Sequence, residues 1–193
     1  TPYSHVKAFC AHPFSVMRYF CGDIIGVQAF MDKPGVRATA CDPMLSINSI
    51  HVKFANGGVG YLISQRGDAM FGLGGWWSYE HAGTKGTFCI ENCVEKLHYW
   101  DIDKVENASM ASPVPETYNT GITDFSATFP VRIHAFLEDV TNRVSPEFVR
   151  ASGRDALATL SYTFAAMRSY EEGGALVIPE KLPPLHGDIA HVW

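Results

Sequence analysis

The residues best suited to chemistry sit near the start of the chain. Lys7, His12 and Arg18 fall within twelve positions of one another. An imidazole titrates near neutrality, so His12 can accept or return a proton, and the two cations can hold an oxygen-rich ligand. The same spacing also suits a solvated helix face, with His12 simply leading into Pro13. Two aromatic pairs, Trp76-Trp77 and Tyr99-Trp100, offer flat apolar surfaces. Such surfaces floor sugar sites, and they also fill cores and interfaces. Cys89 and Cys93 stand in a C-x3-C spacing. No second Cys/His pair with ligand spacing follows, and strand alternation would put both on one face, so they read as structural thiols rather than a metal clip.

Several standard sites are absent from the sequence. There is no G-x-x-x-x-G-K-[ST], no H-E-x-x-H and no G-x-S-x-G. Gly72-Leu73-Gly74-Gly75 runs into Trp76-Trp77 and a strand, the wrong setting for a turn that cradles pyrophosphate. No nicotinamide site is expected on this chain.

The elements that must position these residues follow from periodicity. Val6, Phe9, Cys10, Val16, Met17 and Phe20 predict a helix over Tyr3–Phe20, interrupted by Pro13 and stopped by Gly22. A run of strands follows. Ile24–Phe30 is rich in β-formers. Ser46–Phe54 alternates, with Ile47, Ser49, His51 and Lys53 against Asn48, Ile50, Val52 and Phe54. Asn56-Gly57-Gly58 turns the chain into Val59–Gln65. Further strands are expected over 75–80, 86–91 and 93–100, with turns at Gly83-Thr84-Lys85-Gly86 and Glu91-Asn92. The polar, proline-bearing stretch 103–125 predicts a surface loop. Helical spacing returns over Phe129–Val140 and again after Ser152, an N-cap candidate with Asp155 three positions on. Gly173-Gly174 ends that helix, and Ala175–Ile178 reads as a short strand. The prediction is an α+β fold: a large, mostly antiparallel open sheet with helices packed on one face, forming one domain over residues 1–193.

Bulk properties narrow the function. The 193 residues are 47% hydrophobic and 18% charged, enough for one sizeable core. Fifteen basic against twenty acidic residues give a formal net charge of −5 with no basic run, so nucleic acid and anionic membrane are not expected partners. No stretch of ~18 apolar residues occurs. Five cysteines, an odd number in a chain this large, read as reduced thiols of a cytoplasmic protein. The start, Thr1-Pro2-Tyr3, lacks both a signal sequence and an initiator methionine and reads as the cut end of something longer.

Four segments carry a resemblance. Ala11–Ile24, "AHPFSVMRYFCGDI", is similar to the element that opens the C-terminal domain of the glucose–fructose oxidoreductase/inositol dehydrogenase (Gfo/Idh/MocA) family. "SIHVKFANGGVGYLISQRGD" resembles that family's central hairpin, and "GWWSYEHAGTKGTFCIEN" its paired strands beside a substrate-side loop. "ASGRDALATLSYTFAAMRSYEEGGALVIP" is similar to its terminal helix and short strand. The order is conserved along essentially the whole chain.

The resemblance implies the substrate-side domain of an NAD(P)-dependent sugar or polyol oxidoreductase, without the Rossmann domain that binds NAD or NADP. It implies His12 as the catalytic residue, and it brings Lys7, Arg18, Trp76 and Trp77 forward as substrate-binding candidates. A homo-oligomer through the open sheet face is expected. Departures from the family pattern support a second reading, a non-catalytic binding or scaffold module. The aspartate four residues before the histidine is Ala8, and the acidic residue three after it is Ser15. Glu180-Lys181-Leu182-Pro183 lies in the tail and cannot replace the lysine of the missing domain. A hydrolase or isomerase pairing His12 with Glu80 or His81 lacks a nucleophile–base constellation.

Overall fold

The computed structural model describes residues 1–33, 43–65, 77–103 and 113–182. The chain forms two compact units, Thr1–Ala69 with Arg143–Trp193, and Met70–Asn142.

The first unit is a three-stranded antiparallel sheet, β1 (Ile24–Asp32), β2 (Ile47–Phe54) and β3 (Val59–Gln65), in that order. Alternation sets its faces. Asn48, Ile50, Val52 and Phe54 of β2 are buried, while His51 and Lys53 point to water. A bulge between Ile24 and Gly26 shifts the register of β1, which otherwise pairs Val27 with Val52 and Ala29 with Ile50. Two helices pack on the buried face. α1 (Ala11–Cys21) contributes Phe14, and the last long helix contributes Ala158, Tyr162, Ala165 and Ala166 to one core with Val27, Ala29, Ile50 and Val52. The uncovered face carries Phe30, Tyr61 and Ile63, each more than half exposed.

The helix expected over Tyr3–Phe20 is present with a modification. Residues Val6–Cys10 form a wide π-type turn that runs into α1. Pro13 accounts for it: proline lacks the N–H that would bond the carbonyl of Phe9, and its ring crowds that carbonyl. A wider turn relieves the conflict. Gly22, at φ 82°, stops α1 as expected.

The second unit is a four-stranded antiparallel sheet, β4 (Tyr79–Gly83), β5 (Gly86–Glu91), β6 (Lys96–Asp101) and β7 (Glu116–Asn119). α2 (Thr128–Thr141) follows it. β7 lies inside the stretch expected to be loop. It is only four residues long and exposed throughout, so it carries no alternation that periodicity could register. Cys93 sits in the Asn92–Glu95 turn at φ 69°, not on a strand, so it does not share a strand face with Cys89 of β5. Among the described residues, every buried apolar side chain belongs to the first unit; in the second only Asp139 is buried.

α3 (Gly153–Glu171) begins at the expected cap. Ser152 Oγ accepts from the Asp155 backbone N–H at 3.2 Å, and the Asp155 carboxylate accepts from the Ser152 N–H at 2.8 Å, a complete capping box. Gly173 and Gly174 end the helix at positive φ, and Val177 bridges to Val27 on the first strand. The class is α+β with antiparallel sheets.

Candidate functional site

His12 lies on the first turn of α1 with its side chain exposed. Lys7 lies five residues earlier on the wide turn and is also exposed. In an unbroken α-helix, five residues rotate the chain by about 140° beyond a full turn. A π-type turn bonds i to i+5, so it brings Lys7 and His12 closer to one side. Lys7 Nζ stands 5.7 Å from the centre of the Phe164 ring of α3, a cation–π contact that holds the ammonium against the helix pair.

Arg18 is placed differently. Six helical residues beyond His12 amount to about 9 Å along the axis and a different face. Its Nε donates to Asp23 Oδ1 at 2.8 Å, and its Nη1 pairs with Asp155. Burial alone would lower the guanidinium pKa, but the two carboxylates outweigh it and the value is raised. Asp155 answers in kind. Burial would raise its pKa, yet the hydrogen bonds from Ser152 and the ion pair with Arg18 hold it below the ordinary carboxylate range. Arg18 therefore ties the end of α1 to the start of α3.

Trp77 belongs to the second unit. It is half-buried just before β4, its ring lies 6.2 Å from Phe125, and its carbonyl accepts from the Cys93 N–H at 2.6 Å. Trp76 lies outside the described residues, as does the Gly72–Gly75 stretch. Glu80 and His81 are adjacent on β4 and face opposite ways. His81 stacks on Phe88 at 5.1 Å, whereas Glu80 is paired across from Cys89. Among the described residues, no group of three or more His, Cys, Asp or Glu is placed to hold a metal ion. No helix of the described residues is long and apolar enough to cross a membrane.

Two polar clusters were not anticipated. Beneath the wide turn, Ser64 Oγ meets His5 Nε2 at 3.2 Å, Asn48 Nδ2 at 3.1 Å and Cys10 Sγ at 3.5 Å. Burial pushes the Cys10 thiol to about 11 against the opposing Ser64 contact, so this is an unreactive thiol. The cluster fastens the turn that carries Lys7 to β2 and β3. Its signal in the sequence is Asn48, a polar residue in the alternating set whose other members are apolar. On the second sheet, His98 bonds Glu91 Oε1 at 3.0 Å and Thr117 Oγ1 at 2.9 Å, tying β5, β6 and β7 together. That contact depends on strand register, which a single strand's sequence does not contain.

The comparisons concern this same fold. No family model and no curated protein matches the chain. Solved structures do. Levoglucosan dehydrogenase in complex with NADH and levoglucosan superposes with a TM-score of 0.73 at 18% identity, covering 92% of this chain and 51% of that one. An oxidoreductase from Agrobacterium radiobacter in complex with NAD+, L-tartaric acid and magnesium gives 0.68 at 14% identity, with 92% and 52% covered. An NAD binding oxidoreductase from Klebsiella pneumoniae gives 0.65 at 17% identity, with 89% and 49% covered. The chain spans about half the length of these proteins. It has the fold of the C-terminal half of such oxidoreductases, the domain that the Gfo/Idh/MocA resemblance led us to expect.

Proposed function

We propose that this chain is the substrate-side domain of an NAD(P)-dependent sugar or polyol oxidoreductase, working with a Rossmann domain that binds the nucleotide. One observation carries the reading: 92% of the chain takes the fold of half of a dehydrogenase whose complex holds NADH and levoglucosan. The chain's sequence has no phosphate-binding glycine turn, so it offers no cradle for a nucleotide and the cofactor belongs to the other half.

In this reading His12 accepts the proton of the substrate hydroxyl as the carbon gives up its hydride, because alkoxide character must develop at that oxygen. Lys7, on the wide turn that leads into α1, steadies the oxygen electrostatically. Arg18 serves by fixing the helix pair rather than by touching substrate. Trp76 and Trp77 remain proposed as apolar floor for a sugar ring, and the uncovered sheet face, with Phe30, Tyr61 and Ile63, as a surface for a second copy.

The test is to assay the full-length gene product against a panel of sugars and polyols with NAD and with NADP. Cofactor reduction dependent on one of these substrates supports the proposal. A gene product with no β-α-β G-x-G-x-x-G segment and no such activity overturns it. That outcome favours the scaffold reading, whose support is Ala8 and Ser15 standing where the family pattern has acids.

A further inference from the structure

We propose that Asn56 is a site of spontaneous covalent modification, in which the Gly57 nitrogen closes on the Asn56 side chain and converts the amide to an acid. The site lies in the hairpin between β2 and β3 and is independent of the oxidoreductase reading.

Six asparagines occur in the sequence, and only Asn56 precedes a glycine. Residues Ala55–Val59 are all exposed. Asn56 Oδ1 accepts the Gly58 N–H at 2.9 Å. That bond folds the side chain forward across the intervening peptide, which sets Cγ beside the Gly57 nitrogen and polarises its carbonyl. Gly57 adopts φ +90° and carries no side chain to crowd its nitrogen, and a Cβ built there meets nothing within 4 Å. The Gly57 N–H is bonded to the Phe54 carbonyl at 3.1 Å, and that single bond at an exposed hairpin tip must open first.

The chemistry balances with water as the only co-reactant. The Gly57 nitrogen, having lost its proton to base, attacks Asn56 Cγ and a C–N bond forms. The side-chain amide nitrogen leaves as ammonia, giving a five-membered imide. Water then opens either imide C–N bond. One opening gives an aspartyl residue; the other gives an isoaspartyl residue, whose main chain runs through one extra carbon. Either product adds one negative charge to the formal net charge of −5. The aspartyl form keeps the Gly58 N–H as a partner and strengthens it. The isoaspartyl form lengthens a turn now closed by the 2.8 Å bond from the Phe54 N–H to the Gly58 carbonyl, and so disturbs the pairing of β2 with β3.

Asn119 is the internal control. Its Oδ1 accepts the Gly121 N–H at 2.9 Å in the same manner and it is equally exposed, but the attacking nitrogen would belong to Thr120, whose branched side chain crowds the approach.

The experiment incubates the purified protein in mildly alkaline and mildly acidic buffers made with heavy-oxygen water, followed by peptide mapping in ordinary water. The expected result is heavy-oxygen incorporation at Asn56, faster in alkali, with Asn119 and the other asparagines unchanged. Gly57→Ala should slow it about tenfold, equivalent to ~1.4 kcal/mol on the barrier, and Asn56→Gln should abolish it. A melting curve for each variant separates slowed chemistry from an unfolded turn. Conversion of Asn119 at the same rate as Asn56, or an intact Asn56 in wild-type protein after prolonged alkaline incubation, overturns the proposal.

Discussion

The proposed function makes His12 the group that takes a proton from substrate, and His12 is exposed on the first turn of α1, next to the wide turn. Being exposed, it is not core filler, so His12→Asn in the full-length enzyme should leave the melting temperature nearly unchanged. Its kcat should fall by about 10² to 10⁴-fold, the usual range for a general acid–base group, toward the lower end because Ala8 offers no carboxylate to fix the tautomer. Normal turnover with a large loss of stability would make His12 structural. The Arg18–Asp155 pair makes a separate prediction. Asp155 is held below its ordinary range in the folded chain, so folding is favoured above the unfolded value of about 3.9 and the benefit is lost as pH falls through the folded value. Denaturant midpoints should decline on acidification in that window, and Asp155→Asn should flatten the decline. His12, Lys7 and Arg18 stand out in the sequence because their types and closeness mark one segment. That Arg18 is occupied by Asp23 and Asp155 does not, since Asp155 arrives from 137 residues away.

Elements whose signals are local were read nearly to the residue. The boundaries of β3 and β5 follow directly from the turns Asn56-Gly57-Gly58 and Gly83-Thr84-Lys85-Gly86, and Ser152 with Asp155 announces α3. Elements defined by partners were not: β7 is recognisable only from its pairing with β6, and the wide turn only from how Pro13 is accommodated. The β4–β5 hairpin depends on one glycine for a physical reason. A Cβ on Gly86 would lie 2.5 Å from the backbone oxygen of Trp100 on β6, at φ +154°. Neither a backbone oxygen nor that conformation yields cheaply, so Gly86→Ala should destabilise the chain by ~1–3 kcal/mol. Urea denaturation followed by tryptophan fluorescence checks it; an unchanged midpoint would show that the strands slide apart at no cost.

At the scale of the whole molecule, the chain has the fold of one half of the oxidoreductases it superposes on, and the proposed function gives two expectations. Titration calorimetry of this chain with NADH or NADPH should show no saturable heat; a Kd below ~100 μM, about −5.5 kcal/mol, would contradict the assignment of the nucleotide to the other half. Light scattering at micromolar concentration should report a species larger than 21.3 kDa, because Phe30, Tyr61 and Ile63 leave an apolar sheet face uncovered. A purely monomeric solution would count against that surface. The antiparallel α+β class was legible from alternation and turns. The division of the seven described strands into sheets of three and four was not, because it is decided by which strand edges meet.

The uneven distribution of buried apolar side chains has a thermal consequence. Heat capacity rises on unfolding chiefly because apolar surface meets water, and the described residues of the second unit, half-buried in β5 and β6, include no fully buried apolar side chain. Diluted until monomeric, the chain should therefore show a heat-capacity increment below the ~12–15 cal/mol/K per residue of evenly packed domains. Differential scanning calorimetry would measure it directly. A full increment would mean that the second sheet hides its apolar side chains in solution, and the warmth needed to melt it would then be shared by the whole chain.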